Sequence, residues 1–284
     1  MHKYKNFFEM FKRRGEDWQE SEPKRLLNAC SQGRTGEVKS LLYNDIYVNY
    51  QNRKGSTPLH AACASKNYEI VEALLKDHRV DVNLPNGYNE TPFYVACQKG
   101  SVKTVKLLLN DGRIDINEGD EDGWTPLLIS CRNGNVKIVE MLIKDERIDC
   151  NQAETKQGRT PFYIACENGS LEIVKLLLSD ERVNINQANK GNVKPLIIAC
   201  YNEHLDVVKY ILASGRRVHL NSTLRIAREH QKTKSVQLLE SFIGNQIQMR
   251  SKLRKEFSLP SNVYVNFFSI FLILIFLLNR WGLC

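Results

Sequence analysis

The sequence predicts an all-helical solenoid, a stack of similar helix-turn-helix units, from two regularities that run through most of its 284 residues. The first is the segment 57–63, which begins with Thr-Pro and ends with Ala-Cys. Close copies follow it, with prolines 34, 34, 35 and 34 residues apart. The second is a valine nine residues after the alanine of each copy, or after Ser130 in one copy. These valines, which include a degenerate copy at either end, are Val38, Val71, Val105, Val139, Val174, Val208 and Val236.

Each unit carries the signals for two helices and a loop. Threonine followed by proline is typical of a helix N-cap and first turn. Proline is tolerated there because the N–H that it lacks would have no hydrogen-bond partner in the first turn. A second amphipathic helix carries the recurrent valine and an aliphatic pair. The polar stretch that follows alternates as Val-Asn-Ile-Asn, which predicts a short extended finger resembling a β-hairpin. One such unit cannot bury its own apolar face, so the units must stack.

The units divide the chain into four parts. We expect an N-terminal extension over residues 1–20, a repeat domain over 21–243, a basic linker over 244–262 and an apolar segment over 263–284. The first unit lacks the Thr-Pro start and the last is compressed, as the solvent-exposed ends of a solenoid require. The extension contains Phe7, Phe8 and Phe11 among basic residues, and is either an amphipathic helix or a frayed terminus.

The period and the Thr57-Pro58-Leu59-His60 motif together resemble the ankyrin repeat family, over roughly residues 21–242. The resemblance implies that the histidine forms a hydrogen bond to the next repeat. The other copies carry Tyr94, Leu128, Tyr163 and Ile197 in its place.

The resemblance also implies where a partner binds. In the family, a groove formed by the fingers and the first helices contacts partners, and the residues there differ between copies while the framework agrees. The corresponding positions in this chain are Arg53, Lys54, Tyr88, Glu90, Gln98, Lys99, Glu121, Asp122, Trp124, Arg132, Asn133, Lys156, Arg159, Glu167 and Tyr201. Aromatic residues and arginine are enriched at binding hot spots, which favours Tyr88, Trp124 and Tyr201 as anchors.

An aromatic residue before Thr-Pro could equally pack on the next finger. If Trp124 and Arg159 are instead anchors, their truncation is expected to abolish binding and leave the melting temperature nearly unchanged.

The sequence carries no enzyme signature. Walker, nucleophile-elbow, zinc-protease and kinase motifs are absent, so we expect neither catalysis nor a cofactor or metal. Six cysteines occupy the same position of successive first helices: Cys30, Cys63, Cys97, Cys131, Cys166 and Cys200. We interpret them as small buried hydrophobic residues in a reducing compartment.

The net charge of +8, taken over the whole chain, suggests nucleic acid as a partner. The position of that charge in the sequence changes this interpretation. Residues 216–284 hold 11 basic and 3 acidic residues, which account for the whole excess. Basic residues precede the apolar run 263–278, and helical sixteen-residue runs reach about 24 Å, short of the roughly 30 Å core of a bilayer. The run is either a C-terminal membrane anchor with the repeats in the cytosol, a cover for the last repeat, or translated noncoding sequence.

These observations predict a monomeric, cytoplasm-facing and non-enzymatic scaffold that binds a protein partner and no nucleic acid, tethered to a membrane through residues 263–278. The alternative is a soluble regulator whose basic C-terminal segment binds anionic lipid or nucleic acid.

Overall fold

The computed structural model describes residues 22–260, which form seven helix pairs and one further helix. The inner helix, the first of each pair, is α1 (Glu22–Ser31), α3 (Pro58–Ala64), α5 (Pro92–Gln98), α7 (Pro126–Arg132), α9 (Pro161–Glu167), α11 (Pro195–Tyr201) or α13 (Leu220–Glu229). The outer helix, the second of each pair, is α2 (Thr35–Leu42), α4 (Tyr68–Leu75), α6 (Val102–Leu109), α8 (Val136–Ile143), α10 (Leu171–Ser179), α12 (Leu205–Ser214) or α14 (Thr233–Gly244). Helix α15 (Gln246–Glu256) follows the last pair.

Threonine caps the inner helices of the regular repeats. The side chains of Thr57, Thr91, Thr125 and Thr160 each accept a hydrogen bond from the backbone N–H three residues on, and proline occupies the first turn. Lys194 makes no such side-chain bond at the start of α11. The predicted cap is therefore confirmed at the four faithful copies. Helix α11 has the proline in its first turn but no side-chain cap.

The recurrent valine lies in the core between neighbouring repeats. Val38, Val71, Val105, Val139, Val174 and Val208 are all fully buried. Val236, in the last pair, is only partly buried because no further pair stacks on that side. Inner helices pack against inner helices and outer against outer along the stack, so each layer covers the apolar face of the one before it.

A ladder of asparagine and arginine side chains joins the outer side of successive repeats. Asn83 shows the pattern: its amide nitrogen donates to the carbonyl of Arg113 at 2.7 Å, and its amide oxygen accepts from the N–H of Asp115 at 2.9 Å. The Arg113 guanidinium binds Asp111 and reaches back to the carbonyl of Leu75, at the end of α4. Asn49, Asn117 and Asn151 repeat the arrangement with Arg79, Arg147 and Arg182.

The fingers are closed turns, and no strand occurs within residues 22–260. In the finger at Asn52, the N–H of Asn52 donates to the carbonyl of Ser56, and a single backbone bond of 2.8 Å, from Gly87 to Lys54, joins it to the next finger. Such isolated bonds do not make a ladder, so the β-hairpin character predicted for the fingers is limited to their turns.

The position of the family histidine connects each inner helix to the next finger in three repeats. His60 completes a capping box with Thr57, and its Nε2 lies 2.9 Å from the carbonyl of Glu90. The hydroxyl of Tyr94 donates to Asp120 at 3.0 Å, and that of Tyr163 accepts from Asn189 at 3.3 Å. Tyrosine therefore replaces histidine as the link between repeats, while the Leu128 and Ile197 side chains have no polar atom for it.

The C-terminal part of the described chain differs from the predicted linker. Helix α15 packs on α12 and α14 and buries Leu253. Lys209 of α12 lies 2.8 Å from Glu256, and the Arg254 guanidinium donates to the carbonyl of Ala213. The aliphatic parts of Lys and Arg side chains can cover apolar surface. A strongly basic sequence can therefore still form a packed helix. The N-terminal extension (1–20) and the apolar segment (263–284) lie outside the described residues.

Candidate protein-binding groove

Two rows of side chains form the candidate groove: finger residues on one side and the C-terminal ends of the inner helices on the other. Contacts between the rows show that they border the same surface. Gln98 of α5 donates to Glu90 at 3.2 Å, and Glu167 of α9 lies 3.2 Å from the Arg159 guanidinium. The structure therefore brings together finger residues and inner-helix residues that were both predicted to line the groove.

Asparagine side chains fix the spacing of the inner-helix ends. Asn133, Asn168 and Asn202 occupy equivalent positions just after α7, α9 and α11. Each donates to the carbonyl of the last residue of the preceding inner helix, at 3.1, 3.2 and 2.9 Å. Asn133 was predicted to contact a partner, but its amide nitrogen is engaged within the solenoid.

Trp124 contacts two arginines. Its side chain is 7% exposed, and the guanidinium carbons of Arg132 and Arg159 lie 4.8 and 5.3 Å from the ring. A cation over an indole ring gains electrostatic attraction in addition to packing. Trp124 is therefore a packing residue whose exposed neighbour is Arg132. The burial of this ring leads us to expect that its truncation lowers stability.

Arg159 is held by two carboxylates, one of them fully buried. Its Nε lies 3.2 Å from Glu154, whose side chain has no exposure, while its Nη1 pairs with Glu167. Glu154 also accepts from the backbone N–H groups of Lys156, Gln157 and Arg159. Burial opposes ionisation of Glu154, but these backbone and side-chain hydrogen bonds outweigh burial and lower the pKa of its carboxyl.

Family models described as ankyrin repeats match residues 76–154 and 147–223, and a second such model matches residues 41–93. Together these matches span more than half of the chain. The chain belongs to the ankyrin repeat family. It is also similar to the crystal structure of the ankyrin repeat domain of Bcl-3, a member of the IkappaB protein family, with 25% identity and a TM-score of 0.64. That likeness covers 71% of this chain and 89% of the other. A sequence comparison with curated proteins finds no match.

Two tyrosines are the exposed aromatic residues of this ankyrin groove. Tyr88, in the finger before α5, is 52% exposed, and Tyr201, at the end of α11, is 42% exposed. Lys232 places its ammonium 4.5 Å from the Tyr201 ring, and His230 meets the same ring edge-on. Lys232 and His230 were not selected from the sequence, because the compressed last repeat obscures their alignment with the other copies.

The remaining predicted residues fall into two groups. Lys156 pairs with Asp122 at 2.6 Å across adjacent fingers, so its charge is partly satisfied within the solenoid. The side chains of Arg53, Lys54, Lys99 and Glu121 are exposed and take part in no ion pair within residues 22–260.

A second concavity lies outside the groove, on the outer helices of the first two repeats. It is a cleft of about 960 Å³ between α2 and α4, bordered by Tyr43, which is 93% exposed, and by Tyr68. It was not predicted from the sequence, because outer-helix positions agree between copies and belong to the framework. Among residues 22–260, no three His, Cys, Asp or Glu side chains are grouped so as to hold a metal ion.

The six aligned cysteines are buried, as predicted. Burial raises the pKa of Cys30 and of Cys200 to about 12, so these thiols stay protonated and are poor nucleophiles at neutral pH. They belong to the interior of the inner-helix layer.

Proposed function

We propose that this ankyrin protein is a non-enzymatic, monomeric scaffold that binds a segment of a partner protein in the groove. The observation that carries the proposal is the contact between its two rows. Positions chosen because they vary between otherwise constant repeats form one surface, through Glu90–Gln98, Trp124–Arg132 and Arg159–Glu167. Ankyrin repeats generally act in protein–protein interaction.

The test uses the exposed tyrosines in place of Trp124 and Arg159. The combined variant Tyr88→Ala and Tyr201→Ala removes two exposed rings, which are typical binding anchors. Quantitative pull-down from the source cells is expected to lose a defined set of proteins with this variant. The matched control is Tyr43→Ala, which removes an exposed ring outside the groove. Thermal melts of all three proteins should agree within a few degrees. Equal capture by the groove variant and the wild type would refute the proposal.

We further propose that residues 263–278 tether the scaffold to a membrane with the repeats in the cytosol. Across the described range 22–260, no helix is both long and apolar enough to cross a bilayer. The proposal rests on the sequence: basic residues precede the apolar run 263–278, the charge pattern of a C-terminal anchor with the repeats in the cytosol. Alkaline carbonate extraction of the full-length protein tests the tether, and release into the supernatant would refute it.

The alternative is that the basic C-terminal surface binds anionic lipid or nucleic acid without a span. It is supported by exposed basic side chains that have no ion-pair partner within the described residues: Arg217, Lys234, Lys252 and Lys255. Vesicles of phosphatidylcholine with and without phosphatidylserine, and a short DNA duplex, are the probes. A steep loss of binding with salt that maps to residues 216–258 would favour this alternative.

A further inference from the structure

Five exposed basic side chains lie in a finger or at the inner-helix ends of the second to fourth repeats, and we call them the cation row. They are Arg53 and Lys54 in a finger, and Lys66, Lys99 and Arg132 at or just after the ends of α3, α5 and α7. All five are exposed, and none forms an ion pair with another residue of the described range.

The fourth and fifth fingers provide the contrast. There, Lys156 is paired with Asp122, Arg159 is paired with Glu154 and Glu167, and Lys190 donates to the carbonyl of Thr155. Basic residues on that side are therefore satisfied by the solenoid itself. The charge of the cation row is unsatisfied in the free protein.

Arg132 is the member of the cation row that lies over an aromatic ring. Its guanidinium lies over the ring of Trp124, which is also contacted by the anchored Arg159. Stacking leaves the guanidinium edges, with their N–H donors, free to bind a planar carboxylate. A side chain already held in place loses less conformational entropy on binding.

Cations near a helix C-terminus also interact favourably with the helix dipole, and this is a second explanation for part of the cation row. That effect accounts for Lys66, Lys99 and Arg132 but not for Arg53 and Lys54, which lie in a finger. It also predicts a small change in stability on substitution and no change in binding, so the two explanations can be separated.

Acidic residues border the cation row on one side. Glu90 is engaged by the amides of Asn86 and Gln98, whereas Glu121 is exposed and unpaired among the described residues. A partner that places carboxylates on the cation row must approach Glu121 at its edge, and like charges there weaken binding.

We propose that the cation row binds an acidic segment of a partner protein, with a carboxylate on the Arg132 guanidinium and further acidic side chains along Lys99 and Lys66. This inference rests on the proposed function of the groove and names the chemistry of its partner. Glu121 limits the affinity and orients the segment by repulsion at one end.

The experiment is a peptide-display selection on the full-length protein in detergent micelles, followed by binding measurements with the enriched peptides. Enriched peptides are expected to be rich in Asp and Glu. Arg132→Ala and Lys99→Ala should each weaken binding at least about tenfold, Arg132→Lys should weaken it less, and Glu121→Gln should strengthen it. Lys137→Ala, an exposed and unpaired residue of α8, is the matched control and should have no effect.

The outcomes separate the two proposals. Peptides that need Tyr88 and Tyr201 but tolerate Arg132→Ala and Lys99→Ala would overturn the acidic-segment inference and leave the groove intact. Peptides that tolerate both sets of substitutions would overturn the groove proposal as well. Failure to enrich acidic peptides, or equal competition by a short DNA duplex, would also overturn the inference, since the groove would then recognise charge without a protein segment.

Discussion

The finger at Glu154 is longer than the others by one residue, and its capping side chain is longer by one methylene. In the other fingers the capping residue is Asn52, Asn86, Asp120 or Asn189, and its N–H donates to a carbonyl four residues on. In the longer finger, the N–H of Glu154 donates to the carbonyl of Arg159, five residues on. This insertion produces the single 35-residue interval between prolines. The longer side chain therefore compensates for the longer turn.

We predict that Glu154→Asn and deletion of Gln157 are each destabilising alone and compensate each other when combined. Glu154 accepts from three backbone N–H groups at 2.7 to 3.2 Å, and a shorter side chain cannot reach all of them across the longer turn. A hydrogen bond to a charged group contributes about 1.5–3 kcal/mol, so losing one of those to Glu154 in each single change should lower the free energy of unfolding by about 2 kcal/mol. Together they produce Asn-Thr-Lys-Gly-Arg, which matches Asn52-Arg53-Lys54-Gly55-Ser56, and Gly158 already has the positive φ of Gly55.

The measurement is urea unfolding of the four proteins, followed by far-UV circular dichroism at constant pH. The double variant should lie within about 1 kcal/mol of the wild type, which corresponds to a coupling energy of about 3 kcal/mol. Additive losses, or a double variant less stable than either single one, would show that the glutamate and the inserted residue are independent and would refute this explanation of the interval.

Three further predictions concern stability and reactivity. Trp124→Ala should lower the free energy of unfolding by about 3 kcal/mol, because a buried ring that contacts two guanidiniums is removed; an unchanged urea midpoint would disprove this. Burial lowers the pKa of His60 to about 4, although its bond to the Glu90 carbonyl opposes the shift. Neutral His60 therefore contributes stability above about pH 6.5 that is lost as the pH falls towards 4, at up to about 1.4 kcal/mol per pH unit, and His60→Tyr should remove that slope. Iodoacetamide at pH 8 should modify Cys63 and its equivalents only after unfolding, as detected by mass spectrometry; labelling of the native protein would contradict the burial of these thiols.

Periodicity alone predicted the helix pairs, their number and the caps, because each depends on local chemistry repeated at one spacing. The buried valines follow from the same register. The hydrogen bonds between repeats were harder to predict, since they depend on which atoms of successive layers meet. Asn83 was visible as a marker, but its two bonds to the next repeat emerge only from the stacking.

The positions of the groove residues were predictable from the sequence, but the role of each side chain was less so. Variation between copies located Tyr88, Trp124 and Arg132 equally well, yet Trp124 is buried and the other two are exposed. An aromatic residue before Thr-Pro gives no sign of which residues stack on it. Those arginines come from α7 and from the next finger, and their meeting is a consequence of tertiary structure.

Helix α15 was missed because its composition is that of a solvated linker. Leu253 is its one buried residue, Met249 packs partly buried against the core, and charged groups bind α12, so the apolar stripe in the sequence is narrow. An apolar period in a sequence indicates a buried helix face, and α15 buries only a small part of its surface.

The asparagine–arginine ladder makes the solenoid a chain of joints in series, and its joints differ in strength. At Arg79, Arg113, Arg147 and Arg182 a carboxylate two residues earlier holds the guanidinium. Arg216 reaches the carbonyls of Asp180 and Val183 without such a carboxylate, since Ser214 stands in its place. A pulling force applied at the C-terminus loads the contacts of α15 with α12 and then the joint at Arg216, which lacks this carboxylate. The last repeat should detach under force while the repeats that form the groove remain folded. Its detachment would then spare the binding surface from unfolding.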